Sequence, residues 1–314
     1  MSVVLILLGL ALLVGGGEIL VRGSVALATR LGMSKALIGV TLIGFGTSMP
    51  EFVATFGAAA KGSPDIAFGN VLGSNISNIL MILGAATLIA PIATRMHGLA
   101  RDAIFVSFGS IAALYWIYTG GIPQVGAFVL IAAFTLYMFL TIRADMADAI
   151  DDSEMDDVKA PQSVLLSLLF AVGGIVLLMA GAESLIRGAS SIARGLGVSE
   201  AIIGITIVGI GTSLPEATAS IIASLKKENA LAFANIVGSN IFNGLGILGV
   251  TAAVYPLRFG AGGFSLIDGV VLCLATAAMF GFALTHKKIM RWEGAVLLLA
   301  YAAYLGWLIL RAVG

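Results

Sequence analysis

The sequence predicts an all-α polytopic membrane protein with about ten transmembrane helices in two inverted five-helix repeats. Three observations carry this expectation. Hydrophobic residues make up 59% of the chain and charged residues only 11%, too few to cover the surface of a soluble protein of this length. Apolar runs of about 20 residues, the length that crosses a bilayer, recur along the chain. The chain also repeats itself: Gly46-Thr47-Ser48-Met49-Pro50-Glu51 returns as Gly211-Thr212-Ser213-Leu214-Pro215-Glu216. This offset of 165 residues holds without a gap from about Gly16/Gly181 to Pro91/Pro256.

Taken in order, the expected spans are roughly 2–28, 34–60, 66–90, 100–119, 122–143, 163–193, 199–225, 231–255, 265–285 and 291–311. The N-terminus has no basic segment and no small-residue cleavage site after the first apolar run, so it reads as the first span and not a cleaved signal. The sixth span falls where the repeat restarts. Asp102 and Asp268 hold similar places at the head of the fourth span of each half. A unit with an odd number of spans, copied once, enters the membrane from the opposite side the second time, so the repeats are inverted. The chain divides into a first repeat over 1–143, an acidic linker over 144–162 and a second repeat over 163–314.

Basic residues set the expected orientation. Arg30, Lys35, Arg95, Arg101, Arg143, Lys159, Lys226, Lys227, Lys287, Lys288 and Arg291 fall in alternate loops, and the opposite side carries Lys61, Arg194, Arg258 and Arg311. The richer side is cytoplasmic by the positive-inside rule, which puts both termini outside and the linker inside. A net charge of +0 gives no sign of a nucleic-acid partner. Cys273 is the only cysteine, so no intrachain disulfide can form. Lipid is the expected surrounding; no protein partner is legible.

The repeated motif places one Glu, a Thr-Ser pair and a Pro inside each apolar stretch, and an ionisable group there is expensive and functional by default. Pro50 removes the backbone bond to the Gly46 carbonyl and kinks the helix. Gly44 weakens the same turn; Pro215, Gly211 and Gly209 repeat the device. A freed carbonyl in hydrocarbon is costly unless something satisfies it, and a cation would. The spacing of Thr47 to Glu51, Ser74 to Asn78, Thr212 to Glu216 and Ser239 to Asn243 puts each pair on one helical face. Every candidate ligand is an oxygen, which suits hard cations such as Ca2+. No Cys or His accompanies them, which argues against zinc or copper. Two Glu balance one Ca2+ or two Na+.

Other polar positions read as structural. Kinks at Pro and Gly also serve packing, but here the motif and the Gly-Ser-Asn cluster of the third span recur together. Asn75 and Asn240 read as interhelical glue. Glu18–Arg22 and Glu183–Arg187 read as ion pairs one turn apart. Asp102 and Asp268 suit helix starts. The acidic linker reads as solvated and lacks EF-hand spacing. Spans 1 and 6 are the longest and lack the motif. Their Gly15-Gly16-Gly17 and Ala180-Gly181-Ala182 stretches suggest smooth surfaces that let the two slide as a pair over a fixed core.

The paired Gly-Thr-Ser-x-Pro-Glu signatures, with Gly73-Ser74-Asn75 and Gly238-Ser239-Asn240, resemble the Ca2+/cation antiporter superfamily, specifically its prokaryotic sodium/calcium exchangers. The resemblance covers nearly the whole chain. It implies Na+-driven Ca2+ exchange by alternating access in a prokaryotic inner membrane, with Ca2+ and Na+ as transported ions and no cofactor. It also implies that Glu51 and Glu216 are central Ca2+ ligands shared with Na+, assisted by Thr47 and Thr212. Ser48, Ser74, Ser213 and Ser239, with the Gly44 and Gly209 carbonyls, would line flanking Na+ sites. Asn78 and Asn243 would complete the centre. Some members carry Asp where this chain has Asn243, a position where K+-dependent relatives differ, so the resemblance does not extend to K+ cotransport. The nearest rival is an H+-coupled divalent-cation antiporter, separable by driving uptake with a Na+ or a pH gradient. A passive channel would lack dependence on Na+ across the membrane. An enzyme reading is weak, since no nucleophile–His pair or cofactor motif accompanies the two Glu.

Overall fold

The computed structural model describes residues 1–94, 98–148, 163–196, 207, 209–259, 264–285 and 287–313. Among them, eight helices are long and apolar enough to cross a membrane. They are α1 (Ser2–Leu31), α4 (Pro64–Ile89), α5 (Leu99–Thr119), α6 (Gln124–Asp148), α7 (Val164–Gly195), α10 (Asn229–Val254), α11 (Leu266–Thr285) and α12 (Arg291–Val313). A ninth span is a bent pair, α2 (Lys35–Thr47) and α3 (Met49–Ala60), meeting at 45°. The expected span over 199–225 is described through α8 (Gly209–Thr212) and α9 (Leu214–Leu225); residues 197–206 and 208 lie outside the described residues. The chain is therefore an α-helical integral membrane protein.

Local chemistry sets the ends. Gly32 takes a left-handed conformation (φ 63°) that closes α1. Two residues on, the Ser34 hydroxyl accepts the Leu37 N–H at 3.0 Å and starts α2. The Ser34 N–H donates in turn to Asp145 Oδ2 at 3.1 Å. Helix α6 thus runs past the expected boundary at 143, and the first acidic residue of the expected linker is docked rather than solvated. Residues 149–162 lie outside the described residues.

The most extensive contact between helices joins α1 to α7, and glycine makes it. A Cβ on Gly16 would lie 2.9 Å from the Leu178 nitrogen, and one on Gly174 would lie 2.5 Å from the Leu20 nitrogen. Gly9 faces Gly181 and Leu185, and Gly23 faces Ala171. Ascending positions on α1 meet descending positions on α7, so these helices of the two halves run antiparallel. The smooth surface expected to face the core is instead a seam within the pair. Backbones that touch leave no room for side chains, and small residues allow this approach between membrane helices. Only Gly17 of the glycine stretch turns to the core, against Thr218 and Ile222 of α9. We predict that Gly174→Ala lowers the melting temperature in detergent, by the equivalent of about 1–3 kcal/mol for forced overpacking. Gly173→Ala, whose Cβ meets open space, leaves the temperature unchanged or raises it.

Short ladders tie the halves together at both ends. Strand β1 (Ile92–Ala93) pairs antiparallel with β4 (Lys288–Ile289), and β2 (Gly121–Ile122) pairs with β3 (Leu257–Arg258). Lys35 reaches Glu228 at 2.9 Å. The loops that touch belong to the same set in the expected alternation. Glu18–Arg22 and Glu183–Arg187 form at 2.6 and 2.5 Å, and Lys226 adds a second cation on Glu18 at 2.7 Å. Asp102 and Asp268 sit in the first turns of α5 and α11, each accepting a tyrosine hydroxyl from a neighbouring helix: Tyr137 at 3.1 Å and Tyr304 at 2.9 Å.

Candidate functional site

Both signature motifs break their helices at the same residue. Ser48 (φ −83°, ψ 4°) separates α2 from α3, and Ser213 (φ −86°, ψ 5°) separates α8 from α9. The break falls ahead of each proline. Pro50 and Pro215 occupy the opening turn of the following helix, where a missing N–H costs little. The expected shared face of Thr47 and Glu51 is accordingly split: Thr47 ends one helix, and Glu51 lies in the first turn of the next. Glu216 does the same in α9. A carboxylate is favoured there by the positive end of the helix dipole.

The two breaks meet inside the protein. Glu51 is 0% and Glu216 1% exposed. The Ser48 hydroxyl donates across the halves to Glu216 Oε1 at 3.0 Å, and Glu51 faces Glu216 and Ser213. Asn243 Nδ2 donates to the Ser74 hydroxyl at 3.1 Å, bringing the third span of the first half against its counterpart. Thr47, Ser48, Ser74, Ser213, Ser239, Asn78 and Asn243 are all buried. Thr212 is half-buried and Gly44 fully so. The Gly44 carbonyl accepts the Ser48 N–H at 3.3 Å, and Gly209 opens α8. In α4 and α10 the hydrogen-bond register widens to a π-helix at Asn78–Leu83 and Phe242–Ile247, a distortion common at functional sites.

Many of these buried oxygens have no hydrogen-bond partner. Both carboxylate oxygens of Glu51, Oε2 of Glu216, the Ser213 and Ser239 hydroxyls and the Oδ1 atoms of Asn78 and Asn243 are unsatisfied. An unpaired polar atom away from water costs about 1–3 kcal/mol, and a bare charge costs more. So many acceptors around two carboxylates call for a cation or protons. Two neighbouring hydroxyls are turned elsewhere. The Thr47 hydroxyl donates to the Ile43 carbonyl at 3.0 Å and the Ser74 hydroxyl to the Val71 carbonyl at 3.1 Å. Among the described residues no group of three or more His, Cys, Asp or Glu gathers; the centre is a pair of carboxylates set among neutral oxygens.

The sequence reading missed Asn70 and Asn235. Asn70 Nδ2 donates to the Glu51 carbonyl at 3.3 Å and to Thr55 Oγ1 at 2.9 Å. Asn235 Nδ2 makes the same pair of bonds, to the Glu216 carbonyl at 3.4 Å and Ser220 Oγ at 2.9 Å. The signal was present, because both pairs obey the 165-residue offset. Asn75, read as glue, does bond across the halves, to the Asn240 carbonyl at 3.2 Å.

Broken spans that bring their breaks together at a buried, oxygen-lined centre define a membrane transporter of cations. The sodium/calcium exchanger protein family matches residues 1–143 and 166–310, and the chain belongs to that family. CaxA of Alkalimonas amylolytica is 34% identical over 98% of each chain. The sodium/calcium exchanger MaX1 of Methanosarcina acetivorans is 27% identical over 96% of each. A solved structure of the sodium-calcium exchanger NCX_Mj superposes with a TM-score of 0.83 at 30% identity, covering 97% of this chain and 98% of that one.

Proposed function

We propose that this protein is a secondary-active antiporter that exchanges Na+ for Ca2+ by alternating access, through two inverted five-helix repeats. The observation that carries the reading is the set of unpartnered buried oxygens on Glu51, Glu216, Ser213, Ser239, Asn78 and Asn243. Glu51 and Glu216 hold Ca2+ with help from Thr47 and Thr212. The same carboxylates, with Ser48, Ser74, Ser213, Ser239 and the Gly44 and Gly209 carbonyls, hold Na+ when Ca2+ leaves. Asn78 and Asn243 close the centre. Two carboxylates balance one divalent ion or two monovalent ones, so the ions compete for one charge. Ca2+ accepts six to eight oxygens in flexible geometry, which suits hydroxyls, amides and carbonyls drawn from four helices. The antiparallel run of α1 and α7 and the ladders joining loops of the same expected side support the inverted arrangement. Both termini lie outside, and the linker over 144–162 lies in the cytoplasm of a prokaryotic inner membrane. Uptake of radiolabelled Ca2+ into vesicles tests the coupling: an outward Na+ gradient drives it. Uptake driven by a pH gradient alone would instead favour an H+-coupled divalent-cation antiporter.

Asn243 is the position to vary for ion choice. Its Nδ2 is engaged by Ser74 while Oδ1 is free. Asn243→Asp adds a third carboxylate beside Glu51 and Glu216, and we expect a changed Na+, K+ or pH dependence of Ca2+ uptake with the fold retained. Unchanged profiles for all three ions would remove this residue from ion selection.

A further inference from the structure

We infer that Asn70 and Asn235 are positioning residues that set Ca2+ affinity by pinning the two carboxylate-bearing half-helices. The inference deepens the exchange reading above and rests on it. The breaks at Ser48 and Ser213 leave α3 and α9 without a continuous helix on their N-terminal side, just where Glu51 and Glu216 project. Something else must fix their position and rotation. Each asparagine supplies two anchors from one Nδ2: one proton goes to the carbonyl of the Glu itself, the other to a hydroxyl four residues further on. Two anchors a turn apart hold both the height and the rotation of a half-helix. Its carboxylate therefore stays aimed at the centre when no ion occupies it. The halves keep this geometry although the acceptor is Thr55 in one and Ser220 in the other; what recurs is the hydroxyl. Asn235 also lies close to the opposite half, its Oδ1 3.4 Å from the Thr47 hydroxyl oxygen. Asn235 is buried, so water does not replace these bonds when they are lost.

The test is a set of substitutions in reconstituted protein, read as apparent KM and Vmax for radiolabelled Ca2+ uptake, with melting temperature alongside. Asn70→Ala and Asn235→Ala should each raise the KM about tenfold and leave Vmax within about twofold, since two bonds are lost at each site. Thr55→Val and Ser220→Ala remove one anchor and should raise it about threefold. Thr55→Ser and Ser220→Thr keep the hydroxyl and should match wild type. A wild-type KM in the asparagine variants, or a lower melting temperature and Vmax at constant KM, would overturn the inference. Should the asparagine variants not fold, the hydroxyl variants decide it by the same criterion. Equilibrium Ca2+ binding to the same purified proteins separates the two readings. If wild type binds Ca2+ without Na+-driven uptake, the exchange reading fails and the binding constants alone judge the asparagines. If it binds none, both fall.

Discussion

Glu51→Gln and Glu216→Gln should each abolish Na+-driven Ca2+ uptake while leaving the protein folded. Each change keeps the shape of the side chain and removes half the formal charge of the centre. Breaking a buried charge pair costs about 3–5 kcal/mol, which corresponds to a loss of Ca2+ affinity of about a hundredfold to several thousandfold. Stability without ions should move the other way. Glu51 has two unpartnered carboxylate oxygens in a fully buried position, so a neutral amide relieves a bare charge. The Gln proteins should melt at or above the wild-type temperature in ion-free buffer, and Ca2+ should no longer raise that temperature by binding the folded state. Near wild-type uptake in both variants would place the ion elsewhere.

A tether between α1 and the core should stop exchange but spare Ca2+ binding. The glycine seam joins α1 and α7 backbone to backbone, so the two are expected to move as one body over the core. A Cβ on Gly17 would lie 3.1 Å from Thr218 Cγ2 of α9, within reach of a disulfide. Cysteines at positions 17 and 218 on a Cys273→Ala background should, when oxidised, hold α1 and through it α7. Transport should return on reduction, and equilibrium Ca2+ binding should persist throughout. Full exchange with the crosslink intact would rule out sliding of this pair. Ile175 and Ile186 of α7 pack against Gly46 and Gly211 of the two signature motifs, which places the pair directly against both breaks.

The centre was legible in the sequence because its parts are conspicuous in hydrocarbon. A Glu, a Pro and a Thr-Ser pair inside an apolar run stand out, and their return at one offset marks a matched pair. What escaped was of two kinds. Asn70 and Asn235 were invisible as roles because a buried amide says nothing about whether it binds an ion or a neighbouring carbonyl. Only the hydrogen bonds to Glu51, Thr55, Glu216 and Ser220 distinguish them. The glycines of spans 1 and 6 were read correctly as small surfaces but assigned to the wrong neighbour, since spacing along a helix does not say which helix lies opposite. The four-residue spacing of Thr47 and Glu51 misled for a physical reason. It assumes an unbroken helix, and the proline that makes the site also breaks that helix at Ser48. Asp145 looked like part of a solvated acidic run, yet the half-buried N–H of Ser34 takes it as a partner.

The central claim is that one cation sits between Glu51 and Glu216. Anomalous diffraction from crystals soaked in Sr2+, a heavier stand-in for Ca2+, tests it most directly. The account predicts one dominant peak at oxygen-ligand distance, about 2.3–2.6 Å for a calcium-like ion, from carboxylate oxygens of both Glu51 and Glu216, and weakening as Na+ is added. A dominant peak away from both carboxylates, or one indifferent to Na+, would contradict it.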